Sequence, residues 1–173
     1  MVGDGAATLI ARACAESGIG QRADALDRFL EAYRRRLLMH TRPYPGVAEV
    51  LTTLGSRATL AVLTNKPLAA TREILAGLDL ARHFSVDAVI GGDGPFPRKP
   101  DPLGLQHLQT VTNVPASSTL MVGDSLIDWR TAKAAGTSIC MARYGFGFEG
   151  FNPDALAPGD LTIDAPTDLL RVS

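Results

Sequence analysis

Two aspartates in the stretch TLMVGDSLIDWRTAKAAG, Asp124 and Asp128, have the types and spacing that could do chemistry. They follow an apolar run, and if a helix begins at Ser125 their carboxylates can face the same spot. A pair of oxygen ligands suits Mg²⁺, which keeps several waters and takes its remaining ligands from phosphate. The alternative for Asp124 is a structural role as the cap of the following helix. The spacing predicts a magnesium site at this position.

A hydroxyl and an amide, Thr64 and Asn65, stand between the apolar run ATLAVL and the next amphipathic stretch. Free backbone N–H groups at the start of a helix, together with these two side chains, would form a small cradle for an anion. An ordinary helix cap is the alternative. The pair is therefore a candidate phosphate site when other charged groups lie at the same edge.

A loop with four prolines, GGDGPFPRKPDP (91–102), carries Lys99 shortly before a predicted helix. A lysine in a loop is commonly solvated. The prolines stiffen the backbone of this loop, however, and would place the Lys99 ammonium group reproducibly. Lysine binds phosphate as a compact point charge. Lys99 is therefore the candidate cation of the site.

The composition excludes several classes of function. The 17 basic and 18 acidic residues leave a net charge of -1, which provides no general field for nucleic acid or an acidic membrane. No apolar run approaches the roughly 20 residues that span a bilayer. The two cysteines have no CxxC spacing and no signal peptide is visible, which predicts a reducing cytoplasm. The three histidines are scattered, so no softer metal site competes.

From Pro43 onward, short apolar runs alternate with amphipathic stretches. The predicted strands are 58–64, 86–92, 118–124, 138–143 and 161–163, and the predicted helices lie at 47–54, 67–78, 101–110, 125–135 and 166–171. We expect the strand at 58–64 to have no solvent-exposed face, because it is too apolar. Strands regularly separated by helices indicate an α/β fold with a doubly wound, Rossmann-like parallel sheet. Ligands of such sheets bind beyond the carboxyl ends of the strands, where the candidate residues stand.

Residues 5–40 have a different pattern, with apolar positions at helical spacing that predicts two amphipathic helices parted near Gly18–Gly20. The run Arg34, Arg35 and Arg36 lies near the end of the second helix, where basic charge suits the helix dipole. Two interpretations of this run remain open: a solvated face whose charge suits the helix dipole, and a binding site for an anion.

The order of Thr64-Asn65 after a strand, Lys99 before Pro100, and GDSLID with its two aspartates resembles the last three of the four signature motifs of the haloacid dehalogenase-like hydrolases. The segments RPYPGVAEVL, FPRKPDP and RYGFG resemble the phosphoglycolate phosphatase branch of that family. The resemblance implies a Mg²⁺-dependent phosphatase for a small phosphorylated metabolite, with 2-phosphoglycolate favoured.

The resemblance also implies a role for each residue. Thr64 and Asn65 would bind phosphate, and Lys99 would be the catalytic lysine that holds phosphate and nucleophile together. Asp124 would ligate Mg²⁺, and Asp128 would support the ion directly or through water. In the family, an aspartate of a DxDGT motif attacks phosphorus and forms an aspartyl-phosphate, which is covalent catalysis by a carboxylate.

This sequence contains no DxDGT motif. The early candidate, Asp4 in the first of two MVGD tetrapeptides, has no apolar strand before it, and Ala6 occupies the position of the acid/base partner. We expect Asp4 to cap the first helix or lie in its first turn. The second tetrapeptide ends at Asp124, so the repeat is coincidental.

By the family pattern, residues 1–42 correspond to the latter part of a helical cap and residues 43–173 to the Rossmann-like core. The central first strand, which carries the nucleophile, would then be missing. Its loss would leave unpaired backbone groups on two neighbouring strands, which predicts low stability or self-association through the gap. Two alternatives remain open: a non-catalytic protein that binds phosphate and Mg²⁺, and an interaction module that borrows a strand from a partner.

Overall fold

The structure, a computed structural model, describes residues 6–18 and 23–172. Its helices are α1 (Ala6–Glu16), α2 (Ala25–Arg36), α3 (Val47–Leu54), α4 (Leu68–Gly77), α5 (Leu103–Thr112) and α6 (Leu126–Ala134). Its strands are β1 (Val62–Leu63), β2 (Val89–Ile90), β3 (Leu120–Gly123), β4 (Ser138–Ala142) and β5 (Leu161–Ile163). Short 3-10 helices lie at Ala81–His83, Val86–Ala88, Ala116–Ser118, Pro153–Ala155 and Pro166–Arg171. None of the described helices is long and apolar enough to cross a membrane.

All strand pairs are parallel, and helices connect most of the strands, which confirms the predicted α/β class. The strands form two sheets, one of order β1-β2 and one of order β3-β4-β5. In the described part of the chain, β1 pairs only with β2 and β3 only with β4. Each of these two strands therefore has one edge without a neighbouring strand.

Two predicted strands are reduced to two residues each. In the run 58–64 only Val62 and Leu63 pair with another strand, and Ala58, Thr59 and Ala61 are exposed, so the prediction of a strand without a wet face is wrong. Residues 58–61 pair with no strand in the described part of the chain, so they are not held in the sheet. In the run 86–92 only β2 is extended, because a 3-10 helix occupies residues 86–88. The predicted final helix, 166–171, is also a 3-10 helix.

The core is centred on β4. Ile139, Cys140 and Met141 are fully buried there. Helix α6 packs on this strand through Ala132, which is also fully buried, because a small side chain lets a helix approach a sheet closely. Leu63 of β1 contacts both this cluster and a second one around β2, so apolar packing joins the two sheets. Removal of these side chains from water is the main stabilising contribution.

Helices α1 and α2 pack against each other, and neither contains a fully buried residue. Arg34, Arg35 and Arg36 form the last turn of α2 and are exposed, and Arg35 pairs with Glu31 one turn earlier. The exposure of these arginines and the pair with Glu31 agree with the interpretation of the run as a solvated face whose charge suits the helix dipole. Just after α2, Leu37 is buried and Leu38 packs closely on Gly77 of α4, which attaches the helix pair to the rest of the fold. Asp4 and the predicted break at Gly20 lie outside the described residues.

Candidate active site

Asp128 is the most fully bonded side chain of the candidate site. Its Oδ1 accepts a hydrogen bond from the Lys99 ammonium group at 2.6 Å. Its Oδ2 accepts from the backbone N–H groups of Asp124 and Ser125 at 3.2 and 3.1 Å, and from the Ser125 hydroxyl at 2.6 Å. The Ser125 hydroxyl also accepts from the Asp128 N–H, which completes a capping box at the start of α6. Asp128 therefore joins the end of β3 to the Lys99 loop.

The charge state of Asp128 follows from these contacts. Burial alone raises the pKa of this carboxyl group, but the positive charge of Lys99 and the hydrogen bonds from Lys99 and Ser125 outweigh burial. The net effect lowers the pKa of Asp128 below its ordinary value of 3.8. The side chains of Lys99 and Asp128 are only 14% and 8% exposed, so they form a nearly buried ion pair at neutral pH.

Asn65 holds the backbone of Lys99. Its side-chain amide donates to the Lys99 carbonyl at 2.9 Å, and its Oδ1 accepts from the Lys99 N–H at 2.8 Å. Asn65 is buried, which makes this reciprocal pair stronger than the same pair in water. The structure therefore gives the Asn65 side chain a positioning role, and its role as a phosphate ligand stays a prediction.

The start of α4 differs from the predicted cradle of free N–H groups. Pro67 at the N-cap position has no N–H, and the N–H of Leu68 donates to the Asp93 carboxylate at 2.8 Å. Among the N–H groups expected to be free, that of Leu68 is therefore occupied, and the cradle for an anion stays a prediction. The Thr64 hydroxyl oxygen accepts from the N–H of Lys66 at 3.1 Å, and its own proton has no acceptor among the described residues.

Asp124 lies beneath a glycine-rich loop. The N–H of Gly147 donates to Asp124 Oδ2 at 2.9 Å. A Cβ atom added to Gly145 would lie 2.2 Å from the Asp124 Cβ, so the loop can approach Asp124 only because this residue has no side chain. Within the described part of the chain, no hydrogen bond occupies Asp124 Oδ1. The segment RYGFG resembles the family pattern, but no local pattern in the sequence indicates this contact.

The predicted site residues line one cavity of about 370 Å³. They are Thr64, Asn65, Lys99, Asp124 and Asp128. Side chains of α1 and α2 form another wall of this cavity. The volume suits a small metabolite, at the lower end of common ligand pockets. The lining residues that were not anticipated as part of the site include Tyr33, Lys66 and Phe146.

The oxygen donors of this cavity fit a Mg²⁺ ion held by few protein ligands. The described residues contain no group of three or more His, Cys, Asp and Glu side chains that could form a closed metal cage. Asp128 has hydrogen bonds on both oxygens, whereas Asp124 keeps one oxygen open. Mg²⁺ commonly keeps several waters and uses one or two carboxylates. This arrangement favours the alternative in which Asp124 would ligate an ion directly and Asp128 would support it through water.

Residues 9–142 match the family model of the haloacid dehalogenase-like hydrolases. The chain belongs to that family. A phosphoglycolate phosphatase of Rhodospirillum rubrum is 42% identical over 158 residues, which cover 86% of this chain and 65% of the relative. A plasmid-encoded phosphoglycolate phosphatase of Cupriavidus necator is 32% identical, with 98% of this chain and 72% of the relative covered.

The fold of the family is also shared with solved structures. The crystal structure of a predicted phosphoglycolate phosphatase from Haemophilus somnus matches with a TM-score of 0.86 and 28% identity, covering 99% of this chain and 78% of that chain. This haloacid dehalogenase-like chain spans 65% and 55% of the length of the relatives from Rhodospirillum rubrum and Pseudomonas syringae.

Proposed function

We propose that this chain belongs to the Mg²⁺-dependent phosphomonoester hydrolases of the phosphoglycolate phosphatase type. The observation that carries the proposal is the convergence of Lys99, Asp124 and Asp128 on one small cavity, although they come from a loop, a strand end and a helix. The names of the relatives support a small phosphorylated substrate, with 2-phosphoglycolate favoured.

Each residue has a distinct role in this proposal. Lys99 neutralises charge on the phosphoryl group, and Asn65 holds the Lys99 backbone in position. The Thr64 hydroxyl donates to a phosphoryl oxygen. Asp124 holds Mg²⁺, which when bound neutralises further phosphoryl charge, and Asp128 orients Lys99 and the N–H groups at the end of β3.

We further propose that the attacking carboxylate is not among the residues assembled in this cavity. Asp128 is fully engaged, and Asp124 is assigned to the metal. The family pattern assigns attack to an aspartate on a strand, and the unpaired edges of β1 and β3 are where an additional strand would pair. Without such a strand, we expect the chain to bind the ligand without turnover and to self-associate through these edges.

The exposed side chains of β3 support the proposal of self-association. Leu120 is 37% and Val122 is 44% exposed, which is unusual for apolar residues of a parallel strand. An open strand edge with apolar side chains is a common site of pairing between chains.

A domain division and a location accompany the proposal. We propose residues 1–42 as a partial helical cap and residues 43–173 as the core, supported by the wall that α1 and α2 contribute to the cavity. A reducing cytoplasm is proposed from the two free cysteines. Burial raises the pKa of the Cys140 thiol to about 11, with a smaller contribution from the negative charge of Asp168. This thiol therefore stays protonated at neutral pH.

Isothermal titration calorimetry tests the proposed function. The wild-type chain and Asp124→Asn are titrated with 2-phosphoglycolate, each with and without Mg²⁺. We expect Mg²⁺-dependent binding that weakens at least about tenfold in the variant, because a hydrogen-bonding or ligating charge is removed. Binding that is indifferent to both Mg²⁺ and Asp124 would overturn the proposal.

A phosphate-release assay with the same ligand tests the proposed absence of the nucleophile. We expect no release above background from this chain. Release that disappears in Asp124→Asn would contradict the absence of the nucleophile while supporting the hydrolase assignment. Reading the genomic DNA upstream for an apolar strand followed by DxDGT separates a hydrolase from the non-catalytic alternative.

A further inference from the structure

Lys66 and Tyr33 form a polar pair in the wall of the cavity. The Lys66 ammonium group donates a hydrogen bond to the Tyr33 hydroxyl oxygen, and its Nζ lies 4.9 Å from the centre of the Tyr33 ring. Tyr33 in turn stacks on Phe29, one turn earlier in α2, with ring centres 5.8 Å apart and an angle of 12° between the planes. The stacking holds Tyr33 in place, so the pair joins α2 to the loop that follows β1.

Lys66 differs from the other two lysines of the sequence in its charge balance. Lys99 forms an ion pair with Asp128 and Lys133 forms one with Asp160, each at 2.6 Å. Among the described residues, no carboxylate lies within ion-pair distance of Lys66, and a neutral phenol is its partner instead. Lys66 is half-buried beside a cavity. A partly desolvated cation without a counter-charge favours an anion there.

The pair also has unused donors that match a carboxylate. An ammonium group has three N–H donors, and a phenol has one O–H donor besides the oxygen that accepts. One ammonium donor is used by Tyr33. The Tyr33 O–H has no acceptor within the described part of the chain. Two adjacent donor groups, one of them charged, can bind the two oxygens of a carboxylate.

We propose that Lys66 and Tyr33 recognise a second anionic group, a carboxylate, on the phosphomonoester that the cavity binds. This inference rests on the proposed function, which places the phosphoryl group near Lys99, Thr64 and Asp124. Both ends of such a ligand then have a lysine, one paired with Asp128 and one without a carboxylate partner in the part of the chain that the structure describes. A cavity of about 370 Å³ accommodates a short molecule with an anion at each end.

Two probes that differ only at the proposed carboxylate test the inference. The first is 2-phosphoglycolate, and the second is ethyl phosphate, in which a methyl group replaces the carboxylate. Both are titrated calorimetrically, with Mg²⁺, into the wild-type chain, Lys66→Met and Tyr33→Phe. Tyr44→Phe makes the same change as Tyr33→Phe, and Arg130→Met likewise replaces a basic residue by methionine. Both are controls, because they lie at exposed positions that do not line the cavity.

We expect the wild type to prefer 2-phosphoglycolate over ethyl phosphate. Lys66→Met should weaken 2-phosphoglycolate binding about tenfold or more and ethyl phosphate binding less than about twofold, because only the carboxylate loses a charged hydrogen bond. Tyr33→Phe should produce a smaller loss of the same selectivity. Lys66→Arg should restore part of the preference, since it restores the positive charge. Both controls should match the wild type.

The outcomes separate this inference from the proposed function. Equal losses for both probes in Lys66→Met would overturn the inference, because Lys66 would then act on the phosphoryl group or on folding. Unchanged selectivity would also overturn it, while Mg²⁺-dependent binding of ethyl phosphate would leave the proposed function standing. A wild type that binds neither probe would overturn both proposals.

Discussion

Lys99 and Asp128, 29 residues apart in the sequence, form a nearly buried ion pair with Nζ and Oδ1 2.6 Å apart. The pair ties the loop between β2 and α5 to the first turn of α6, and the Asp128 carboxylate balances the charge of the lysine. Removing one partner would leave the other charge buried and unpaired. The cost of such a loss commonly exceeds the net stabilisation that the intact pair provides. The pair therefore links stability to ligand binding in this chain.

Asp128→Asn should reduce the free energy of unfolding by about 3–5 kcal/mol, because it leaves the Lys99 ammonium group without its counter-charge. Asp168→Asn is a matched control. Asp168 accepts hydrogen bonds from the N–H groups of Asp164 and Ala165 at the end of β5, as Asp128 does from those at the end of β3. Its ion-pair partner is the exposed Arg171 at 3.6 Å, so no buried cation depends on it. We expect the control to cost about 1 kcal/mol. Equal losses in urea denaturation would contradict a special contribution from Lys99.

The stability of the chain should fall in acid partly through Asp128. Its pKa is lowered by folding, so the unfolded chain binds a proton more readily and stability rises with pH in this range. The contribution is complete well above 3.8 and is lost as the pH falls through the lower, folded pKa. Urea denaturation between about pH 5 and pH 2.5 should show a shallower slope for Asp128→Asn than for the wild type. Asp87→Asn, an exposed control without an ion pair among the described residues, should keep the wild-type slope.

Asn65→Ala should weaken phosphate binding without removing any charge from the cavity. The variant loses both hydrogen bonds to the Lys99 backbone, each worth about 1 kcal/mol, and frees the lysine from its position. Titration with inorganic phosphate measures the affinity, and thermal denaturation measures stability. Asn152→Ala removes only an exposed contact to the N–H of Asp154 and should leave phosphate affinity unchanged. An Asn65→Ala variant with wild-type affinity would rule out the positioning role.

Gly145→Ala should weaken the effect of Mg²⁺ on ligand binding. The added Cβ would lie 2.2 Å from the Asp124 Cβ, so either the loop or the carboxylate must move and the Gly147 hydrogen bond would be lost. The Cβ atom added in Gly150→Ala would have no heavy atom within 4 Å, but Gly150 has a φ of +88°, which strains a residue with a side chain. This variant should therefore lose about 1–2 kcal/mol of stability with no change in the Mg²⁺ dependence of binding. Titration of 2-phosphoglycolate at several Mg²⁺ concentrations compares the two variants. If they behave alike, the loop does not position Asp124.

Val122→Lys should abolish self-association of the chain. A lysine on an open strand edge opposes pairing, and Val122 is 44% exposed on β3. Val86→Lys changes a residue that is 64% exposed outside the strands and should leave association unchanged. Sedimentation velocity at several concentrations measures the assembly. A wild type that stays monomeric at all of them would refute the proposed pairing.

Several features of the site could be predicted because they depend on local pattern. Apolar runs indicated where the buried strands end, so the positions of Asp124 and Thr64 at strand ends followed from their neighbours. The sequence analysis kept a cap of the following helix open as the alternative role of Asp124, but Ser125 is the N-cap residue of α6 and pairs with Asp128 in a capping box. The length of β1 could not be predicted from local pattern, because it depends on whether a second strand lies beside Val62 and Leu63.

The sequence by itself determined the α/β class and the kinds of chemical group available, because periodicity and helix signals act over a few residues. Only the tertiary structure decided which groups meet. It paired Lys99 with Asp128, turned Asn65 toward the Lys99 backbone, and set Lys66 against the hydroxyl of Tyr33. These contacts join residues about 30 positions apart. They depend on how loops and helices pack around the two sheets, which no local pattern encodes.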